Sequence, residues 1–289
     1  MCEKKKTPLG QGVLSMALAN FDSWLRSPRT ILMLLFIAAI CYLQMCGYEM
    51  KLTETGYTMH LGETLFYEFK FGCNMPMTTV LFLIMVSELP RRIAYQQYSL
   101  IRSSRCRWMA AQLLYCLMMV VAMIALIALF IALLALPLVT HGNGWSDAAR
   151  IASGEIEPYE ALISEFILNN YTPFTATLLA MIPVFCFWLT MVFVILMFGV
   201  WGSPVFGVLM YAFLMVANVT ILFEAFPFQL ILPIQYATLD NIISSYDGKE
   251  IQQFLKVMGV YAALIVSLVA VMMISVKRVE LNFHAESKQ

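Results

Sequence analysis

Residues 108–138 read WMAAQLLYCLMMVVAMIALIALFIALLALPL, without one Asp, Glu, Lys or Arg. A helix rises ~1.5 Å per residue and a bilayer's hydrocarbon core is ~30 Å thick, so ~20 apolar residues suffice to cross it. This run exceeds that length, which implies a tilted span or one that extends beyond the membrane. Five further apolar runs, with Glu88 and Lys256 as their only charged residues, lie at 30–47, 72–89, 173–198, 204–223 and 254–276. All six are continuously apolar rather than alternating, which favours helices over barrel strands. The expected fold is therefore an all-α polytopic membrane protein with six transmembrane helices. Composition agrees: the chain is 61% hydrophobic and 12% charged, where a soluble domain carries about 25% charged residues.

The net charge of zero conceals a sorting by sign. With both termini on one side, the N-terminal segment, the second loop and the C-terminal segment hold 13 of the 18 Lys and Arg residues. The other three connections hold 13 of the 18 acids. Short loops rich in Lys and Arg stay cytoplasmic, so the N- and C-termini are expected to be cytoplasmic and the protein to sit in the cell membrane. An even number of spans requires that agreement. The expected organisation is one transmembrane domain over 1–289, with a cytoplasmic head and interfacial helix at 1–29, a six-span core at 30–276 and a cytoplasmic tail at 277–289. The first apolar run lacks a small-residue cleavage site and reads as a retained span rather than a signal peptide. Seven cysteines are scattered, most of them inside expected spans, which suggests no disulfide framework.

Before the first span, Leu14, Ala17, Leu18, Phe21, Trp24 and Leu25 recur at helical steps. They describe an amphipathic helix along the inner interface with Trp24 at headgroup level; the alternative is that 11–26 only extends the first span. The first outer loop, 48–70, is acidic and short. The second outer loop, 140–172, has a Gly-rich turn, the acids Asp147, Glu155, Glu157, Glu160 and Glu165, and a stretch at 159–168 that reads as a short surface helix. Spans four and five are joined by a tight inner turn, Gly199-Val200-Trp201-Gly202-Ser203. The last outer connection, 224–246, is apolar yet broken by Pro227 and Pro233. It reads as a re-entrant or interfacial element, tolerated where protein shields its backbone.

Several chemistries have no motif here. There is no phosphate-cradling G-x-x-x-x-G-K-[ST] loop, no H-E-x-x-H and no G-x-S-x-G, and the three histidines are scattered. Ion-driven carriers place charged residues inside spans, whereas Glu88 and Glu224 lie only at span ends. The polar groups within the runs are Asn74, Thr78, Thr79, Thr190, Asn218 and Thr220, for which helix–helix hydrogen bonding is favoured over ligand binding. Cys41, Met45, Cys46 and Met50 cluster on the first span, but Met is a common apolar filler in a chain holding 21 of them, so no metal site is expected. Asn170-Tyr171-Thr172 matches a glycosylation acceptor, a motif too frequent to weigh.

The sharpest local signal is the second loop, where Glu88-Leu89-Pro90-Arg91-Arg92 ends the second run and 93–101 can form a short helix before Ser103-Ser104. It serves as a positive-inside anchor; basic residues alone do not distinguish anchoring from docking to a partner, for which Tyr95, Tyr98 and Leu100 are available for packing. The layout resembles the membrane subunit of a type-two ABC exporter, a permease class. The resemblance covers most of the chain. It rests on the interfacial helix, six spans with both ends inside, the helix between spans two and three, and the broken apolar element between spans five and six. Leu100-Ile101-Arg102-Ser103-Ser104-Arg105 before span three is similar to the family's pattern of a short helix, a break and a basic residue. The second outer loop departs from it, being longer and more acidic than a minimal member needs.

That resemblance implies a permease that pairs with a second permease and with a separate ABC ATPase subunit. The chain itself would bind no cofactor and no nucleic acid; ATP and Mg would be held by the partner ATPase. The coupling residues would be Glu88, Arg91, Arg92, Tyr95, Tyr98 and Leu100. Asn74, Thr78, Phe82, Met85, Tyr211, Met215 and Asn218 would line the substrate path, and Phe226, Phe228, Leu230 and Leu232 would gate its outer end. No residue is expected to be catalytic. An uncharged, Phe- and Met-rich path suits an amphipathic, lipid-like or peptide substrate. An ion-coupled transporter or channel, and a non-transporting scaffold or sensor, remain the alternatives.

Overall fold

The structure is a computed structural model. It describes residues 9–55, 59–70, 74–90, 104–137, 139–140, 142, 144–146, 149, 165–219, 237, 239, 242 and 250–278. Among the described residues the fold is helical apart from one two-residue bridge. The helices are α1 (Leu9–Leu25), α2 (Pro28–Thr55), α3 (Leu61–Lys70), α4 (Asn74–Val86), α5 (Arg105–Ala135), α6 (Glu165–Asn170), α7 (Pro173–Val200), α8 (Pro204–Val219) and α9 (Glu250–Arg278). The strands β1 (Met59–His60) and β2 (Val139–Thr140) pair in parallel, Met59 with Val139 and His60 with Thr140.

Helix starts follow from local chemistry. Ser27 interrupts the chain between α1 and α2, and its hydroxyl accepts from the Thr30 amide at 3.2 Å, with Pro28 in the first helical position, where a missing N–H costs nothing. Thr172 and Pro173 repeat that arrangement at α7, the Thr172 hydroxyl accepting from the Thr175 amide. Ser104 caps α5, accepting from the Arg107 amide, while the expected helix at 93–101 and Ser103 lie outside the described residues. Between α7 and α8, Gly202 takes a φ of 111°, a left-handed conformation that strains any residue with a Cβ.

Among the described residues, four helices are long and apolar enough to cross a membrane: α2 over Pro28–Cys46, α5, α7, and α9 over Ile251–Val276. The other two expected spans are shorter helices. Within the described residues the run at 72–89 shows α4, of 13 residues, and the run at 204–223 shows α8, of 16, each described length below the ~20 needed for a full crossing. Residues 72–73 and 220–223 of those runs lie outside the described residues. Of the expected re-entrant segment, 224–246, only Ala237, Leu239 and Ile242 are among the described residues, and all three are buried. α1 is a separate helix that rests on α5, rather than an extension of α2. Its apolar face divides: Ala17 and Trp24 are buried, while Leu14 and Leu18 are about half exposed.

α7 is the hub, packed against α3, α5, α8 and α9. From Pro183 to Val200 none of its side chains is exposed, as expected of a helix that is apolar all round. α9 is the opposite case, with Ile251, Leu255, Val260, Val266 and Ile274 exposed. Two ends of the bundle are defined by contacts. At one, the starts of α2 and α5, the end of α4 and α1 meet. There the backbone of Gly199 lies so close to Leu89 and Pro90 that a Cβ would collide with both. At the other, α3, β1, β2 and the first turns of α7 meet. Gly62 lets α3 approach Pro173, where a Cβ would come within 2.9 Å of the proline side chain, and the Thr177 hydroxyl donates to the Gly62 carbonyl at 3.1 Å.

Candidate functional site

At the α1 end, Arg29 on the first turn of α2 reaches across to the end of α4. Its Nη1 donates to Glu88 Oε1 at 2.6 Å and its Nη2 to Ser87 Oγ at 2.8 Å. The Ser87 hydroxyl donates in turn to the Ile84 carbonyl at 2.9 Å, so the guanidinium holds the last turn of α4 through two side chains. Both partners of the ion pair are partly exposed. Glu88 thus has a defined partner that charge patterning alone did not reveal. Arg91, Arg92, Tyr95, Tyr98 and Leu100 lie outside the described residues.

The expected path residues fall on either side of α7. Thr78, Phe82 and Met85 of α4 and Tyr211 of α8 are all buried. Phe82 stacks on Trp188 with ring centroids 5.0 Å apart, and Tyr211 meets Phe187 at 6.2 Å. Neighbouring Thr79 accepts a hydrogen bond from Trp188 Nε1 at 2.9 Å, which is the helix–helix role expected of it. Thr190 instead donates to the Cys186 carbonyl of its own helix at 2.7 Å. Asn74 opens α4, while Met215 and Asn218 lie in the last turns of α8. Phe226, Phe228, Leu230 and Leu232 lie outside the described residues.

The polar site that sequence reasoning missed is at the other end, in the stretch 48–70 taken as a short acidic loop. Residues 61–70 form a helix whose two acids, Glu63 and Glu68, are both buried. Glu63 is fully enclosed and well satisfied. Its carboxylate accepts from the Ser146 backbone amide and, at 2.8 Å, from the Ser146 hydroxyl. It also accepts from the His60 amide at 3.2 Å, reaching back one turn as a Glu at the third helical position does. His60 Nδ1 lies 2.6 Å from the Gly144 carbonyl, and a carbonyl only accepts, so Nδ1 carries the proton. Trp145 packs edge-on against Phe66 at 5.5 Å and donates from Nε1 to the Tyr171 carbonyl at 2.7 Å. The chain around 144–149 is thereby fastened to α3. Burial, and after it the Glu63 charge, pushes the Tyr67 phenol above its ordinary value.

Glu68 is the contrasting group. It is 5% exposed, and its Oε2 has no hydrogen-bond partner among the described residues. The amide of Gln44, on α2, lies beside it, with both its polar atoms equally buried and unpartnered. Burial pushes the Glu68 carboxyl up to about 7, against the opposing pull of the Gln44 amide. A sequence signal existed: Leu61, Leu65, Phe66, Tyr67 and Phe69 are too apolar for a solvated acidic loop. Among the described residues no cluster of His, Cys, Asp or Glu is arranged to hold a metal ion.

No family model, no curated protein and no solved structure matches this chain. The structure is that of a helical protein with four candidate membrane spans, consistent with a multi-pass membrane protein.

Proposed function

We propose that this chain is the permease subunit of an ATP-driven type-two ABC exporter, embedded in the cell membrane with both termini cytoplasmic. A separate ATPase subunit supplies the energy, and a second permease completes the path for an amphipathic, lipid-like or peptide substrate. The observation that carries the reading is the Arg29–Glu88 pair at 2.6 Å. It ties the start of the first span to the acid that opens the basic segment containing Arg91 and Arg92. A force applied to that segment by a partner would pass directly into α2 and α4. Two features lend support. α1 is a distinct helix with Leu14 and Leu18 exposed along one side, as an interfacial helix requires, and the break at Ser27 separates it from α2. In this reading α4 and α8 lengthen into full spans in the membrane, and Phe226, Phe228, Leu230 and Leu232 form the outer gate.

The test is affinity purification of the tagged chain in mild detergent, with mass spectrometry of what accompanies it. The reading expects a separate ATPase, lost when Glu88, Arg91 and Arg92 are replaced by Ala. A clean preparation across several detergents would sink it. One observation favours a second reading, an ion-coupled transporter: the buried, unpartnered carboxyl of Glu68 is the kind of group such carriers use. That reading expects proton flux in liposomes without nucleotide.

A further inference from the structure

Glu68 and Gln44 pose a problem in energetics. A buried polar atom without a partner forfeits its hydration with nothing in return, and such atoms in native structures call for an explanation. Here three occur together: Glu68 Oε2, Gln44 Oε1 and Gln44 Nε2. An isolated carboxylate in apolar surroundings takes up a proton rather than hold its charge. Position adds to the effect, since Glu68 lies in the last turn of α3, where helix carbonyls oppose negative charge.

Among the described residues the surroundings leave Glu68 little to pair with. On α2 the titratable groups near Gln44 in the chain are Cys41, one turn before it and buried, Tyr42 and Cys46, while the side chains of Glu49, Lys51 and Glu54 on α2 and of Lys70 on α3 lie outside the described residues. On α3 itself, Glu63 is taken up by Ser146 and His60, and Tyr67 responds to Glu63. His60 of β1 is engaged with Gly144. α4, the first turns of α7 as far as Phe185, and α5 beyond Cys116 carry no titratable residue at all.

We propose that Glu68 and Gln44 form a buried proton-binding site between α3 and α2. When Oε2 takes a proton from the aqueous phase, the new O–H donates to Gln44 Oε1 and the site is neutral. When the proton returns to water, rotation of the amide turns Nε2 toward the carboxylate, which then accepts. One amide serves both states because it carries an acceptor and a donor. A value near 7 for Glu68 lets both states be populated at physiological pH. The site does not rest on the exporter reading; it would also supply the proton step of the ion-coupled one.

Infrared difference spectroscopy of the full-length chain in lipid nanodiscs, titrated from about pH 5 to about pH 9, tests it. The expected result is a protonated-carboxyl C=O band that disappears with a midpoint near 7 and is missing in Glu68→Gln. Gln44→Leu should keep the band and move its midpoint to higher pH, because the carboxylate loses its donor. A band unchanged by Glu68→Gln, or no carboxyl titrating above the ordinary range near ~4.3, would overturn the proposal. Should Glu68→Gln fail to fold, an unmoved midpoint in Gln44→Leu overturns it equally. The band without proton flux in liposomes would leave the site standing and remove the ion-coupled reading.

Discussion

The two ends of α3 carry one buried glutamate each, and their surroundings are opposite. Glu63 sits in the first turn, where the helix dipole favours a negative charge, and Ser146 and His60 give it three hydrogen bonds. Glu68 sits in the last turn, where the dipole opposes charge, with an oxygen to which no described residue donates. Residue type and burial are the same; partners and position along the helix differ. The first arrangement fixes structure, because the carboxylate pins the 144–146 segment to the helix start. The second leaves a group that can change state. Buried acid in a membrane protein is thus not one signal but two, told apart by counting donors.

The largest effect should come from removing the satisfied end. Glu63→Ala deletes the acceptor for three donors in a site with no solvent access. We expect a loss of about 3–5 kcal/mol of stability, read as a fall in the thermal midpoint of the detergent-solubilised chain. Ser146→Ala removes one donor and leaves the carboxylate its backbone bonds, so its cost should be about 1 kcal/mol. Equal costs for the two variants would mean that Glu63 does not organise this end.

Glu68 should reveal itself through pH rather than through a large loss at any single pH. Its value is raised from 4.5 in the unfolded chain to about 7 in the fold. The folded state therefore holds a proton that the unfolded state has released, and the stability from this group is full below about 4.5 and lost as pH rises through about 7. The wild-type chain should lose on the order of 3 kcal/mol over that window, and Glu68→Gln should lose much less of it. A wild-type profile that rises over the same window would contradict the assignment.

Gln112 of α5 asks whether every orphaned polar group behaves like Glu68. It is fully buried, and both of its amide atoms lack partners among the described residues. Its titratable neighbours one turn along α5 are Tyr115 and Cys116, and no Asp or Glu lies on that helix, so α5 offers it no carboxyl whose two states it could serve. Gln112→Leu, of similar volume, should raise stability by about 1 kcal/mol without altering the pH profile. A change in that profile would draw Gln112 into the same proton-linked network and blur the contrast between the ends of α3.

The sequence made some of this legible and hid the rest for physical reasons. The long runs that become α2, α5, α7 and α9 were plain because length and apolarity alone define a membrane-crossing helix. The serine and proline stops at Ser27, Ser104 and Thr172-Pro173 rest on local hydrogen bonds, which sequence can display. α4 stops at Val86, short of the end of its apolar run, since apolarity reports what can be buried and not where a helix stops. The α3 site stayed hidden because Glu63 and Glu68 stand among acids that looked like a solvated loop. Their burial depends on Gly62 meeting Pro173 and on Ser146, more than eighty residues away in the chain. The Arg29–Glu88 pair is long-range in the same way.

That pair supplies the smallest effect on stability and the clearest test of role. Arg29 and Glu88 are both partly exposed, and exposed ion pairs are worth about 0.2–1 kcal/mol, less in salt. Arg29→Ala, Glu88→Ala and the double variant should each shift the thermal midpoint little, with a coupling energy inside that range. If the pair only fastens two helix ends, nothing else should change. If it passes motion from the basic segment into α2 and α4, each single variant should still recover the ATPase in purification. Each should nevertheless lose substrate-stimulated ATP hydrolysis, because binding and force transmission would have been separated. Unchanged stimulation in both singles would confine Arg29–Glu88 to a fastening role and, in the exporter reading, leave coupling to the basic segment alone.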